Sequence, residues 1–104
     1  MSKRIEIGSA DAIARRRGKA FDVGEKRIAV FRTARDEWFA LDDACPHLNH
    51  SLAGGWIDGN CVNCPGHGAM FDLRNGEIIA PPASESVESY SVIEENGKLY
   101  LTEH

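Results

Sequence analysis

The sequence contains little that would suit a secreted or membrane-bound protein. It has only three cysteines among its 104 residues, an odd number that does not fit a disulfide scaffold. Its first residues lack the apolar run of a signal peptide. No apolar stretch approaches the roughly 18–20 residues that a membrane-spanning helix needs. We therefore expect a soluble, cytoplasmic protein without membrane association.

Composition and charge argue against two further classes. Hydrophobic residues make up 42% of the chain, which is typical of a globular protein rather than a disordered one. The formal net charge is −4, and the basic run at residues 15–19 is not interleaved with aromatic side chains. We therefore do not expect nucleic-acid binding. We expect a single domain over residues 1–104, acting as a monomer.

Most of the chain has the pattern of short β-strands separated by turns. The strand-like segments before the first cysteine motif are residues 3–7, 20–23, 26–33 and 37–42. Between them we expect one helical turn over residues 10–16, capped by Ser9 and ended by Gly18. Strand alternation places four aromatic residues in the core, namely Trp38, Phe39, Phe71 and Tyr100.

The second half of the chain shows three hairpin signals. Gly59-Asn60 separates two short apolar segments. Asn75-Gly76 and Asn96-Gly97 favour type I′ turns, which would join residues 70–73 to 77–80 and residues 89–93 to 98–102. The expected fold class is all-β, with stacked antiparallel sheets of about eight to ten strands and two hairpin loops at one end.

Two short segments each supply one cysteine and one histidine. One residue separates Cys45 from His47, and two residues separate Cys64 from His67. Thiolate and imidazole ligands suit iron-sulfur clusters or zinc, and suit magnesium or calcium poorly. Structural zinc sites usually have like ligands in each half, whereas both halves here are mixed. A zinc or interaction module using Cys45, His47 and Cys64, with or without Cys61, is the alternative from a different class.

The mixed pattern resembles that of the Rieske proteins, in which two cysteines hold one iron of a 2Fe-2S cluster and two histidines hold the other. The resemblance extends to Leu52 and Gly54 in the first motif, and to a pair of prolines, at 81 and 82, where the family has a loop that shields the cluster. It implies a Rieske fold and a Rieske-type 2Fe-2S cofactor. Cys45 and Cys64 would then bind the inner iron, and His47 and His67 the outer iron.

Departures from the high-potential members of the family indicate a low reduction potential. Those members join their cluster loops by a disulfide, and His50 and Gly66 occupy the corresponding positions here. They also place a serine and a tyrosine where this chain has Ala69 and Phe71. Losing hydroxyl donors to sulfur lowers the potential. We also expect a midpoint that depends on pH in the alkaline range, because bound imidazole titrates with the charge on iron.

These features resemble the soluble ferredoxins of ring-hydroxylating oxygenase systems. The resemblance implies an electron carrier rather than an enzyme, with no catalytic residues. Its partners would be a flavin- or iron-sulfur-containing reductase and a terminal oxygenase. The alternative within the family is a small subunit of a larger reductase, such as assimilatory nitrite reductase.

Several residues beside the motifs have more ordinary interpretations. Cys61 reads as a strand cysteine packed beside the cluster loop, although Cys61 and Cys64 also have the spacing of a redox pair. His50 reads as a loop histidine and not as a ligand. Four acids flank the motifs, and they either form a docking surface for a basic partner or are ordinary solvated turn residues; they are Asp42, Asp43, Asp58 and Asp72.

Overall fold

The computed structural model describes residues 4–43, 51–64, 70–80 and 87–102. Within these residues the chain forms ten strands in two antiparallel sheets, which confirms the all-β prediction. In chain order the strands are β1 (Arg4–Ser9), β2 (Arg17–Val23), β3 (Lys26–Arg32), β4 (Trp38–Asp42), β5 (Trp56–Asp58), β6 (Cys61–Asn63), β7 (Met70–Asp72), β8 (Ile78–Ala80), β9 (Ser89–Glu95) and β10 (Lys98–Thr102). No helix in the described part is long and apolar enough to cross a membrane.

The larger sheet has six strands in the order β1-β10-β9-β4-β3-β2. Its last hairpin turns at Asn96 and Gly97, which have φ values of 55° and 80°. Two successive left-handed residues are what a type I′ turn requires, and Glu95 accordingly pairs with Lys98. The strand-like segments on either side of β3 pair with it as hairpins, with Val23 opposite Lys26 and Arg32 opposite Trp38.

The predicted helical turn over residues 10–16 is wrong in its extent. A 3-10 helix covers only Ala10–Ala12, and the Ser9 hydroxyl accepts a hydrogen bond from the Asp11 amide at 3.2 Å. Ile13 is already extended, because its side chain turns into the core, where it is 2% exposed. Gly18 ends no helix and lies within β2. A Cβ at Gly18 would lie 2.6 Å from a ring carbon of Phe31, so close strand packing explains this glycine.

The smaller sheet has four strands in the order β5-β6-β7-β8. The hairpin at Gly59 and Asn60 is confirmed by the pairing of Asp58 with Cys61. The type I′ turn predicted at Asn75-Gly76 is wrong, since only Gly76 of the two has a positive φ. The connection between β7 and β8 is a wider turn, because the Asp72 carbonyl accepts the Gly76 amide at 2.8 Å.

Two apolar clusters form the core, one on each face of β3. Ala29 and Phe31 belong to the first cluster, which joins the larger sheet to the smaller one. Ile28 and Val30 belong to the second, which the larger sheet encloses. The other fully or largely buried members of the first cluster are Leu41, Leu52, Ile57, Val62, Cys64, Phe71, Leu73 and Val87. The first cluster therefore includes Cys64, the cysteine of the second motif.

The four aromatic predictions have different outcomes. Phe71 is fully buried, while Phe39 and Trp38 are half-buried against the first and second clusters. Tyr100 belongs to neither cluster, so its prediction is wrong. Its ring lies on the outer side of β10, with the Arg4 guanidinium 4.5 Å from the ring centroid.

Candidate metal centre

Only one of the four predicted ligands lies within the described residues. Cys64 directly follows β6 and its side chain is completely buried in the first core cluster. Cys45, His47 and His67 lie outside the described residues, as do His50, Gly66, Ala69 and the proline pair at 81 and 82. Among the described residues, no group of three or more His, Cys, Asp or Glu side chains comes together in a way that could hold a metal ion.

The residues that flank the undescribed segments 44–50, 65–69 and 81–86 lie beside one another. The Asp42 amide donates to the Glu88 carbonyl at 2.9 Å, which joins the start of the first segment to the end of the third. Met70 pairs with Ala80 between β7 and β8, which joins the end of the second segment to the start of the third.

Two further contacts complete this arrangement. Asn63 pairs with Met70, so residues 65–69 connect two adjacent strands. A Cβ at Gly55 would collide with the Asn63 carbonyl, so the chain after the first segment passes directly over the start of the second. The described residues that border all three segments thus lie close to one another, whereas the prediction for the two cysteine motifs themselves falls largely outside the described residues.

The first segment begins at a buried carboxylate. Asp43 is 2% exposed, and its Oδ1 accepts hydrogen bonds from the Ser51 hydroxyl at 2.8 Å and the Ala53 amide at 2.9 Å. Its Oδ2 accepts from Arg27 Nε at 3.0 Å. The Asp43 carbonyl also accepts from the Leu52 amide at 2.6 Å. Charge-assisted hydrogen bonds of this kind are about twice as strong as neutral ones, so both ends of the segment are firmly joined.

Asp72 is also buried, at 9% exposure. Its carboxylate accepts from the Arg74 amide at 2.8 Å and from the Arg74 guanidinium at 2.8 and 3.0 Å. The hydrogen bonds from Arg74 lower the pKa of Asp72. These contacts close the turn between β7 and β8.

The structure corrects both interpretations of the flanking acids. Asp43 and Asp72 are buried in ion pairs and are neither a docking surface nor solvated turn residues. Asp42 accepts a hydrogen bond from the Tyr90 hydroxyl at 2.7 Å, and Asp58 is exposed.

Sequence reasoning missed the structural roles of Asp43 and Asp72. Arg74, two positions after Asp72, was an available signal for the ion pair of Asp72. Asp43 had no such local signal, because its partner Arg27 is far from it in sequence.

Cys61 has the surroundings of a structural cysteine. It lies in β6 opposite Asp72 and is half-buried. Burial, and secondly the negative charge of Asp72, raise the pKa of the Cys61 thiol. A raised pKa disfavours the thiolate that metal ligation and disulfide exchange require, which favours the structural interpretation over the redox-pair and zinc interpretations.

The described part of the site fits an iron-sulfur cluster. Cys64 carries sulfur, the ligand atom that such clusters use, and it is completely buried. The apolar cluster around Cys64, including Leu52 and Val87, provides the low-polarity surroundings that tune a cluster's potential. The remaining predicted ligands are in the two segments whose ends adjoin this position.

An all-β fold of two antiparallel sheets, in a sequence that carries two Cys/His motifs, defines a class of cluster-binding domain. The model of the family described as Rieske [2Fe-2S] domain matches residues 3–91. The chain belongs to this family, and its cofactor is a Rieske-type 2Fe-2S cluster.

Curated relatives include both small ferredoxin subunits and a much longer protein. The chain is 36% identical over 86 residues to the anthranilate 1,2-dioxygenase ferredoxin subunit of Burkholderia cepacia, covering 83% of this chain and 79% of that one. It is 40% identical over 67 residues to the 3-phenylpropionate/cinnamic acid dioxygenase ferredoxin subunit of Photorhabdus laumondii, covering 64% of each. It is also 40% identical over 80 residues to cholesterol 7-desaturase nvd of Hemicentrotus pulcherrimus. That match covers 67% of this chain but only 17% of the longer protein.

Solved structures agree with the fold. The ferredoxin of carbazole 1,9a-dioxygenase from Nocardioides aromaticivorans superposes with a TM-score of 0.86 at 25% identity, covering 95% of this chain and 96% of that one. A ferredoxin in a complex with the oxygenase of carbazole 1,9a-dioxygenase gives 0.82 at 25% identity, with coverages of 94% and 91%. A putative nitrite reductase small subunit from Mycobacterium tuberculosis gives 0.88 at 17% identity, with coverages of 100% and 97%; this likeness concerns the fold alone.

Proposed function

We propose that this chain is a one-electron carrier, the ferredoxin component of a ring-hydroxylating oxygenase system, and not itself an enzyme. The observation that carries the proposal is Cys64, a completely buried cysteine at the point where the ends of the three segments meet. Cys64 and Cys45 hold the inner iron in this proposal, and His47 and His67 hold the outer iron. The bound cluster supplies a one-electron couple.

In this mechanism the protein residues bind the cluster, shield it from water and position the ligand segments. Cys64 provides its sulfur from the first core cluster, where Leu52, Phe71 and Val87 exclude water. The paired strands β6 and β7 fix the ends of the second ligand segment. Asp43 and Ser51 join the ends of the first. Rigid surroundings keep the geometry of the cluster similar in both oxidation states. This lowers the reorganisation energy of electron transfer.

The partners proposed are a flavin- or iron-sulfur-containing reductase as donor and a terminal oxygenase as acceptor. Two ferredoxin subunits of dioxygenases among the relatives support this proposal, as does the solved complex of a ferredoxin with its oxygenase. The proposal further takes residues 1–104 as one domain that acts in the cytoplasm as a monomer.

An electron count tests the carrier function. The protein is reduced with dithionite, freed of excess reductant under anaerobic conditions, and mixed with oxidised cytochrome c as acceptor. We expect one electron per chain to be delivered, with re-reduction possible over repeated cycles. Delivery of no electrons by a protein with full iron and sulfide content would contradict the carrier function.

The alternative is a tightly bound small subunit of a larger reductase. This candidate rests on the resemblance of the sequence to such subunits, and the Mycobacterium tuberculosis protein adds only that they share the fold. Affinity purification from the native host distinguishes the two. A stoichiometric complex that survives high salt favours the subunit, whereas a carrier is recovered alone. The match to the Rieske family favours an iron-sulfur cluster over the zinc module.

A further inference from the structure

We infer that Asp43 is a positioning residue for the first ligand segment: its buried carboxylate clamps residues 43 and 51–53 together and so holds Cys45 and His47 at the cluster. This inference rests on the proposed function. Asp43 immediately precedes the segment, and Ser51 immediately follows it.

The clamp is built from both the side chain and the backbone of Asp43. Oδ1 receives the Ser51 hydroxyl and the Ala53 amide, and the carbonyl receives the Leu52 amide. Three successive residues after the segment therefore donate to the one residue before it. Asp43, the residue before segment 44–50, is therefore joined directly to the three residues after it.

The Ser51 hydroxyl bonds to Asp43 in place of the usual N-cap hydrogen bond within its own helix. Ser51 is the N-cap of the 3-10 helix Leu52–Gly54, but its side chain makes no cap hydrogen bond. It donates to Asp43 instead, and Asp43 takes over the capping of the helix by accepting the Ala53 amide. A serine that capped its own helix would not donate to Asp43, and the two ends of the segment would lose one of their three joining hydrogen bonds.

Arg27 fixes the carboxylate from the opposite side. Its guanidinium contacts Oδ2 at 3.0 Å, and its carbonyl accepts the Asp43 amide at 3.0 Å. The Arg27 side chain is 63% exposed whereas that of Asp43 is 3% exposed, so the arginine covers the carboxylate at the surface of β3. The clamp is thus anchored to the larger sheet rather than free to move with the segment.

Asp72 provides a matched control. It is a second buried aspartate paired with an arginine, but within the described part of the chain its side-chain hydrogen bonds go to Arg74, in its own turn. Loss of Asp72 should destabilise the fold without releasing a ligand segment. Loss of Asp43 should do both.

The experiment compares Asp43→Ala, Ser51→Ala and Asp72→Ala with the wild type as purified holoprotein. The rate of cluster loss to the chelator EDTA is followed by visible absorption under native conditions. The EPR spectrum of each reduced protein and the unfolding midpoint are measured alongside. Because Asp43→Ala loses charge-assisted hydrogen bonds, we expect roughly tenfold or faster cluster loss in this variant.

We expect cluster loss to be fastest in Asp43→Ala and intermediate in Ser51→Ala, with Asp72→Ala close to the wild type at a matched distance from its unfolding midpoint. The reduced EPR spectrum should broaden in Asp43→Ala and stay unchanged in Asp72→Ala. Equal cluster-loss rates and equal spectra in the two aspartate variants would overturn the positioning role.

Ser51→Ala changes an exposed residue and keeps the test decisive if Asp43→Ala does not fold. A wild-type rate in Ser51→Ala would then overturn the proposal. Failure of the proposed function is separate, because it would appear in the wild type as the absence of a cluster or of electron delivery.

Discussion

The Ser51 hydroxyl donates a hydrogen bond of 2.8 Å to the Asp43 carboxylate, joining the two residues that border segment 44–50. Arg27, on the neighbouring strand, pairs with the same carboxylate. The segment that carries Cys45 and His47 is therefore tied to the larger sheet, while the segment that carries His67 connects β6 and β7 of the smaller sheet. The proposed cluster site adjoins Cys64, in the first core cluster that the two sheets share.

The ligand assignment predicts a sharp contrast between neighbouring cysteines. Cys64→Ser should lose the Rieske spectrum, since an iron ligand is removed, whereas Cys61→Ser should keep full iron and sulfide content. Cys61 begins β6 and Cys64 directly follows that strand, so Cys61→Ser controls for the packing of this region. Iron, sulfide and visible absorption per chain are the measurements. Cluster loss in Cys61→Ser with retention in Cys64→Ser would contradict the assignment.

The histidines allow the same comparison. His47→Ala and His67→Ala should each abolish the low-g EPR signal, because imidazole ligation of the outer iron produces it. His50→Ala should retain the signal, since the proposed ligand set is complete without it. A low-g signal that survives in either ligand variant would show that the histidine concerned is not a ligand.

The midpoint potential should lie in the lower part of the range of roughly −150 to +300 mV that Rieske centres span. Phe71 and Ala69 carry no hydroxyl that could donate to sulfur. A donor restored by Phe71→Tyr or Ala69→Ser should raise the midpoint. A charge-assisted hydrogen bond of about 1.5–3 kcal/mol corresponds to roughly 65–130 mV for one electron.

A potentiometric titration followed by visible absorption gives these midpoints. Phe71 is completely buried, so Ala69→Ser serves as the second variant if tyrosine disturbs the packing. A wild-type midpoint above about +100 mV would contradict the argument from missing donors.

Gly55 should tolerate no side chain. Gly55→Ala would drive a methyl group into the Asn63 carbonyl, beside Cys64, so we expect a destabilisation of about 1–3 kcal/mol together with faster cluster loss. Gly59→Ala is the control: Gly59 has φ 63° but no atom within 4 Å of an added Cβ. Its cost should be limited to about 1 kcal/mol of backbone strain, with an unchanged cluster. Urea unfolding and EDTA-driven cluster loss measure the two effects.

Asp36 should contribute to stability only above strongly acidic pH. Hydrogen bonds from Arg15 and Arg32 lower its pKa from 3.8 to about 2. Because the folded-state pKa lies below the unfolded value, the stabilisation is complete above about pH 4 and disappears as the pH falls through about 2. Asp36→Asn should therefore reduce stability at pH 5–7 and converge with the wild type near pH 2. A constant difference across this range, by thermal unfolding, would contradict the linkage.

Local sequence signals predicted the strands well and the turns unevenly. Asn96-Gly97 forms its predicted type I′ turn because β9 and β10 pair right up to it. Asn75-Gly76 does not form one. The Asp72 carboxylate accepts a hydrogen bond from the Arg74 amide, and the Asp72 carbonyl accepts one from the Gly76 amide, which gives a wider turn. The helix over residues 10–16 was cut short because Ile13 is needed in the core. Tertiary contacts overrode local preference at both places.

The ligand motifs could be identified from sequence because their spacing is local. The clamp formed by Asp43 could not be identified from sequence. Asp43 contacts Arg27 because β3 pairs with β4, and it contacts Ser51 across the intervening segment. The burial of two aspartates also reversed the expectation that all the flanking acids lie on the surface. Such contacts depend on topology, which no short motif encodes.

Low-temperature EPR spectroscopy of the dithionite-reduced protein, purified without added metal, tests the central claim most directly. We expect a reddish-brown protein whose reduced form gives the low average g value of a cluster with mixed histidine and cysteine ligation. A colourless protein that contains stoichiometric zinc and gives no EPR signal on reduction would contradict the account.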